Sequence, residues 1–158
     1  MSTEIKRRIF LKRSLAAGTV GVAAATGLLA PQQVLAAWNK TAFESKDLPG
    51  ALKALLGSSD TAESADIKVK APDIAENGAV VPITVDTSME GIESITVIAS
   101  NNPVPLVANF IMGTGALGFV STRIKMGKTG DVIGVVKAGG KLYSAKKEVK
   151  VTIGGCGG

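Results

Sequence analysis

The sequence predicts a mainly β protein: an immunoglobulin-like antiparallel β-sandwich, preceded by a short N-terminal helix and followed by a flexible glycine-rich C-terminal arm. Between residues 67 and 153, apolar residues occupy every second position in about seven short runs, which turn-forming residues separate. Before these runs, four leucines recur at helical spacing, and after them the chain reads GGCGG. These three observations predict one domain with a helix before the strands and an arm after them.

The helix is predicted within residues 38–57. Asp47 is a residue type that caps helices, Pro49 suits a first turn, and Gly57 suits the left-handed conformation in which many helices end. Its apolar face consists of Leu48, Leu52, Leu55 and Leu56. The polar stretch SSDTAES then connects the helix to the first strand.

The strands are predicted from the alternation of apolar and polar residues, as in Val81, Ile83 and Val85 with Pro82 and Thr84 between them. The segments SMEG, SNNP, MGTG, GKTG and KAGGK are typical turns, and APDIAENG is a turn-rich link. The predicted strands are residues 67–69, 81–85, 92–99, 104–111, 120–126, 132–137 and 143–153. The last of them runs directly into the glycine tail, so the arm is expected to start at the edge or end of a sheet.

Three other segments favour structural interpretations. MGTGALG, residues 112–118, does not open a helix after a parallel strand, which favours a hairpin or bulged loop over a phosphate-binding loop. NNPVP, residues 101–105, is typical of a strand entrance or a sheet edge. Lys146, Lys147 and Lys150 indicate a solvated face, with guidance of anionic partners as the alternative.

The N-terminal segment matches an export signal. KRRIFLK, residues 6–12, contains the adjacent Arg7 and Arg8 of a twin-arginine signal, and an uncharged stretch rich in Ala, Gly, Leu and Val follows it. Small residues favour cleavage after Ala36. The alternative, a membrane anchor, is disfavoured because the stretch is rich in Ala and Gly and is broken by Pro31.

This signal divides the chain into three expected parts. They are a twin-arginine signal peptide at 1–36, a β-sandwich domain with its helix at 37–153, and the GGCGG arm at 154–158. No later segment is long and apolar enough to span a bilayer, so we expect a periplasmic protein with no stable membrane association. Cleavage leaves 13 basic and 12 acidic residues and lowers the net charge from +5 to +1, which removes the argument for nucleic-acid binding.

Cysteine and histidine usage excludes several site classes. The chain has one cysteine, Cys156, so it cannot form an internal disulfide. With no histidine, it has no Ser-His-Asp triad, no Cys-His pair and no His-ligated metal site. A lone cysteine also excludes a four-cysteine iron–sulfur centre within the chain. We therefore expect no cofactor and no metal site in this chain.

The arm places its thiol between two pairs of glycines, Gly154 and Gly155 before it and Gly157 and Gly158 after it. Glycine gives the backbone wide conformational freedom and little bulk, so Cys156 can reach a narrow cleft in another protein. A free thiol titrates near ~8.5, and the motif contains no basic residue to activate it. The pattern favours a substrate arm over an active site, which holds its nucleophile rigidly. An incidental cysteine and an intermolecular disulfide tether remain the alternatives.

The sequence resembles the SoxY family of sulfur carriers, from the periplasmic Sox system of sulfur oxidation. The resemblance is carried by the twin-arginine signal, by APDIAENGAVVPITV at residues 71–85, and by the terminal GGCGG. It implies a complex with a SoxZ subunit, as a heterodimer or higher assembly. It also implies that Cys156 is covalently linked to thiosulfate by the heme enzyme SoxAX. SoxB then removes the terminal sulfone as sulfate, and SoxCD, where present, oxidises the remaining sulfane.

Together these observations predict a sulfur carrier without catalytic residues of its own. Cys156 would hold thiosulfate-derived intermediates and present them to successive enzymes, and heme and metals would belong to those partner enzymes. The rival from another class is an exported structural or binding module, tethered to a partner by an intermolecular disulfide through Cys156. A self-contained oxidoreductase would need a redox centre that these residues do not ligate.

Overall fold

The part of the chain that the computed structural model describes is residues 39–152, and it contains two helices followed by nine strands. The helices are α1 (Lys40–Glu44) and α2 (Leu48–Leu56). The strands are β1 (Ala62–Glu63), β2 (Ile67–Lys70), β3 (Ile74–Ala75), β4 (Val81–Thr87), β5 (Ile92–Ala99), β6 (Leu106–Ile111), β7 (Phe119–Ile124), β8 (Gly130–Ala138) and β9 (Lys141–Val151). Within this range, neither helix is long and apolar enough to cross a membrane.

The strands form two sheets. The large sheet has the order β1-β9-β8-β5-β6, with β3 also paired to β9, and the small sheet has the order β2-β4-β7. The seven strands predicted from the sequence pair antiparallel, whereas β1 and β3 run parallel to β9. The prediction of a mainly β fold that follows a short helix is confirmed. The immunoglobulin-like assignment within that class stays a prediction.

The main core lies between the sheets and follows the period of two. On β4, Val81, Ile83 and Val85 are buried while Pro82 is exposed and Thr84 half-buried. These side chains pack in one cluster with inward residues of the large sheet, such as Ile95, Val97, Val132, Val136 and Val149. Burial of apolar surface of this kind is the main stabilising contribution to such a domain. The apolar positions of the pattern that predicted the strands are therefore the positions buried between the sheets.

Strand β5 departs from the alternation because both of its faces are covered. All residues from Ser94 to Ala99 are buried. One face belongs to the inter-sheet core, and the other packs under the helices, where Ile98 joins Leu52, Leu106 and Leu142 in a second apolar cluster. A continuous buried run is what a strand shows when neither face meets water.

Helix α2 begins and ends at the predicted residues. The Asp47 carboxylate accepts a hydrogen bond from the Gly50 amide at 2.7 Å, and Gly57 ends the helix with φ of 87°. Helix α1, which was not predicted, is capped by Asn39, whose side chain accepts from the Ala42 amide at 3.1 Å. The same side chain donates to the Ala54 carbonyl at 2.6 Å and thereby ties α1 to α2.

Two loops refine the sequence interpretation. Residues 112–118 connect β6 of the large sheet to β7 of the small sheet. Of the hairpin and the bulged loop predicted there, the hairpin is wrong, because the flanking strands do not pair. Strand β6 starts at Leu106 rather than at residue 104, because residues 100–104 form a turn. That β6 lies at one end of the strand order agrees with the sheet-edge interpretation of NNPVP.

Candidate functional site: the root of the C-terminal arm

Strand β9 leads to the candidate site. The residues predicted to carry the function all lie outside residues 39–152: the attachment residue Cys156, the glycines of the arm, and the twin-arginine pair Arg7 and Arg8. The described part of the site is the strand end that carries the arm. We call residues 150–152 the arm root, since only residue 153 separates them from the GGCGG motif.

One side of the arm root is held by β3. The Lys150 amide donates to the Asp73 carbonyl at 3.0 Å, and the Thr152 amide donates to the Ala75 carbonyl at 3.2 Å. Bonds to alternate amides are the pattern of a parallel ladder, which here has only two paired positions. Strand β3 lies within APDIAENG, the stretch that was predicted only as a turn-rich link.

The other side of the arm root is held by a side chain. The β8–β9 ladder reaches its last pair at Gly130 and Val149. Beyond it, the Val151 amide donates at 2.9 Å to Oγ1 of Thr129, the residue before the start of β8. Three consecutive amides, from residues 150 to 152, therefore have protein acceptors. The arm starts from a fixed point.

Gly78 completes the contacts of the arm root. Its carbonyl accepts from the Met126 amide at 2.7 Å. A Cβ added at Gly78 would overlap the Met126 carbonyl oxygen and would lie 2.8 Å from Cγ1 of Val151. Real Cβ atoms essentially never make approaches this close, so this position requires glycine for close packing, although its φ is not positive.

An ion pair links β9 to the same segment. Nζ of Lys147 lies 3.0 Å from Oδ1 of Asp73, with the Asp73 side chain 88% exposed and that of Lys147 35% exposed. Pairs in such exposed positions contribute about 0–1 kcal/mol. Lys147 therefore does not belong to a purely solvated face, whereas Lys146 and Lys150 are exposed as expected.

A groove adjoins the arm root. It has a volume of about 660 Å³ and is lined by residues 101–104 together with Lys125, Gly127 and Lys128; we call it the lysine groove. Asn102 bridges its two walls, donating to the Lys125 carbonyl at 2.7 Å and accepting from the Gly127 amide at 3.0 Å. Both lysines are exposed, and the lining includes no acidic residue.

Thr129 connects the groove to the arm root. Nδ2 of Asn101 donates to the Thr129 carbonyl at 2.7 Å, and the Thr129 hydroxyl bonds to Val151. One residue thus contacts both the groove wall and the strand end that carries the arm. Among residues 39–152, no three His, Cys, Asp or Glu side chains lie close enough together to hold a metal ion.

The comparison with protein families identifies the chain. The family model for the sulfur oxidation protein SoxY matches residues 52–156, from within α2 to Cys156. The chain belongs to the SoxY family. The SoxY match therefore includes both the described sandwich and the cysteine of the arm.

A solved structure of a SoxY protein agrees with this assignment. The sulfur carrier protein SoxY from Chlorobium limicola f thiosulfatophilum is 48% identical to this chain, with a TM-score of 0.60, and the match covers 65% of this chain and 94% of that one. A superoxide reductase (neelaredoxin) from Ignicoccus hospitalis is 18% identical, with a TM-score of 0.48 over 56% of this chain and 83% of that one; likeness at that level supports no inference. A search of the curated proteins found no match.

Proposed function

We propose that this SoxY-family chain is a covalent sulfur carrier and not an enzyme. Cys156 holds thiosulfate-derived intermediates and presents them to successive enzymes of sulfur oxidation. The observation that carries the proposal is the pairing of the chain's one thiol, within a glycine-rich motif, with an arm root whose three consecutive amides are hydrogen-bonded. A fixed root and a cysteine four residues beyond it suit delivery of cargo into clefts of other proteins.

The chemistry of loading balances only with an external oxidant. The Cys156 thiol and thiosulfate join through a new S–S bond, and one proton and two electrons are released. We assign those electrons to the heme enzyme SoxAX. Water then attacks the terminal sulfone in SoxB, which releases sulfate and two protons and leaves a sulfane sulfur on Cys156. SoxCD, where present, oxidises that sulfane.

The reach of the arm follows from its length. Cys156 is the fourth residue after Thr152, the last described residue. Since an extended chain spans at most about 3.6 Å per residue, Cys156 lies within about 14 Å of Thr152. That distance is long enough to enter an enzyme cleft while the sandwich stays docked at its mouth.

The proposal includes the cellular setting. Arg7 and Arg8 would direct the folded chain through the twin-arginine pathway to the periplasm, together with a SoxZ subunit that has no signal of its own. Docking to SoxAX, SoxB and SoxCD is transient, and heme and metals belong to those enzymes.

The test of the proposal is the variant Cys156→Ser in a reconstituted thiosulfate-oxidising system. We expect no thiosulfate-dependent turnover, because the variant has no thiol to load, and unchanged unfolding, because Cys156 follows the last predicted strand within the glycine motif. A matched control adds a thiol elsewhere, at the exposed Thr114 in the loop between β6 and β7, as T114C on the C156S background. Turnover retained by C156S, or restored by T114C, would contradict the carrier.

The rival function is a disulfide tether through Cys156. It predicts a persistent bond to one partner that no sulfur substrate changes. Mass analysis of the protein with and without thiosulfate, under non-reducing conditions, separates it from a carrier, whose modification changes with the substrate supplied.

A further inference from the structure

We infer that Asn77 and Gly78 form a self-modification site, at which Asn77 converts to isoaspartate through a cyclic imide and thereby loosens the arm root. The reaction uses groups of the chain itself, with water as the co-reactant. This inference goes beyond the sulfur chemistry of Cys156, because it concerns the segment that joins β3 to β4 and packs against the end of β9.

The dipeptide itself is the first argument. Asn77 is the one asparagine of the sequence that a glycine follows. Imide formation joins Cγ of an asparagine to the backbone nitrogen of the next residue, and glycine hinders this reaction least because it has no side chain and wide backbone freedom. The close approach to Met126 and Val151 requires glycine at position 78. The packing of the arm root therefore retains the residue that makes Asn77 labile.

Access to the reacting groups is the second argument. Asn77 is exposed in the folded chain. Among the hydrogen bonds formed by residues 39–152, none has the Gly78 amide as its donor, so this amide can lose its proton to solvent. By contrast, Asn102 is followed by Pro103, which has no N–H to lose.

The orientation of the Asn77 carboxamide is the third argument. Its Oδ1 accepts a hydrogen bond from the Ala79 amide at 2.9 Å. Attack by the Gly78 nitrogen on Cγ turns Oδ1 into an oxyanion, and a donor that is already in place stabilises the charge that develops there. The Asn77 backbone carbonyl accepts from the Val80 amide at 3.3 Å, which holds the turn closed around the reacting atoms.

The conversion balances without a redox step. The deprotonated Gly78 nitrogen forms a bond to Cγ of Asn77, the bond from Cγ to Nδ2 breaks, and ammonia leaves with a proton from solvent. Water then opens the imide at either carbonyl. Opening at Cγ gives aspartate with an ordinary backbone. Opening at the former backbone carbonyl leaves Gly78 attached through Cγ, which inserts a methylene into the main chain and gives isoaspartate, with one new carboxylate.

The inserted methylene falls between two attachments of the arm root. On one side, β3 is held to β9 by a ladder of two paired positions. On the other side, the Gly78 carbonyl accepts from the Met126 amide at 2.7 Å, and Gly78 packs against Val151. Isoaspartate also removes the carbonyl that accepts from Val80. Because the longer chain no longer fits both attachments, we expect the amides of residues 150–152 to open more often.

The experiment follows Asn77 in the exported protein, purified with any subunit that accompanies it. The protein is incubated in heavy-oxygen water at neutral and at mildly alkaline pH, both folded and unfolded in urea. Peptide mass spectrometry locates each deamidated asparagine by the heavy oxygen it gains, and electron-based fragmentation distinguishes isoaspartate from aspartate. Asn101 is the internal control, because its Nδ2 donates to the Thr129 carbonyl and the amide that follows it donates to Ala99.

We expect Asn77, and not Asn101, to gain heavy oxygen in the folded protein. The rate should rise with hydroxide concentration and should be no lower than in urea. N77Q should stay unmodified, because a glutamine would have to close a larger ring. The isoaspartyl fraction, separated by ion exchange, should show faster hydrogen exchange than wild type at the Val151 and Thr152 amides. The matched control is N77D, which gains the same charge without the methylene and should exchange at the wild-type rate.

An Asn77 that stays intact in the folded protein while the urea-unfolded chain deamidates would overturn the inference, since the fold would then protect the site. Equal conversion of Asn77 and Asn101 would also count against it, because the turn would then contribute nothing. The same exchange rate at Val151 in the isoaspartyl form and in N77D would refute the effect on the arm root. None of these measurements depends on thiosulfate turnover, so this inference and the carrier function can fail separately.

Discussion

Gly78→Ala tests the packing that positions the arm root. The added Cβ would overlap the Met126 carbonyl oxygen and lie 2.8 Å from Cγ1 of Val151, so one or both must move. Overpacking of this kind costs about 1–3 kcal/mol of unfolding free energy. In a domain of this size each kcal/mol lowers Tm by roughly 4 °C, so the expected loss is about 4–12 °C.

The assay is thermal unfolding followed by circular dichroism, with urea unfolding as a check on the free energy. The matched control is Gly113→Ala, because a Cβ there meets nothing within 4 Å and the residue has no positive φ. We expect G113A to unfold at the wild-type temperature or slightly above it. Hydrogen exchange at Val151 should accelerate in G78A. If G78A unfolds at the same temperature as G113A, the close approach at the arm root is refuted.

Three further predictions concern the arm and its sheet. Thr129→Ala should accelerate hydrogen exchange of the Val151 amide and lower the free energy of unfolding by about 0.5–1.5 kcal/mol, because it removes the hydroxyl that accepts from this amide. Thr129→Ser, which keeps the hydroxyl, should behave as wild type. Equal exchange rates in the two variants would contradict the role of the hydroxyl. Valine at Gly155 and Gly157 should leave stability almost unchanged but slow delivery to the enzymes, and unchanged rates would argue against a threaded arm. The backbone N–H of Gly140, and after it Lys137, lower the pKa of Glu93. The contribution of Glu93 to stability is therefore present above the ordinary pKa of a glutamate and is lost as the pH falls through the lowered value. Glu93→Gln should therefore be less stable than wild type at neutral pH, and the difference should shrink as the pH falls below the ordinary pKa of a glutamate, measured by urea unfolding; a constant difference would contradict this.

The sequence predicts the long elements of the fold because each repeats its pattern often enough to be recognised. Helix α2 shows a cap, a proline in the first turn and a glycine stop, and each predicted strand coincides with a described one to within a few residues. Strands β1 and β3 were missed because two residues cannot display a period of two. Helix α1 was missed because five residues contain little more than one turn.

The arm root shows where such prediction ends. The sequence marks Cys156 by its glycines, yet nothing in the pattern around Thr129 indicates that its hydroxyl accepts from the Val151 amide. Nor does APDIAENG reveal that Asp73 and Ala75 hold β9, since the pairing joins segments about 76 residues apart in the sequence. Gly78 was visible only as a turn residue. Contacts of this kind depend on where the sheet places distant segments, which alternation along one strand does not encode.

The central claim is that Cys156 carries sulfur, and intact-mass spectrometry of the protein from thiosulfate-grown cells tests it most directly. The protein should be analysed with and without a thiol reductant, and the modified peptide should then be sequenced. The carrier account predicts additions of sulfur atoms or of thiosulfonate that a reductant removes and that map to the peptide containing Cys156. A bare thiol, or only a fixed disulfide to one protein, would contradict it.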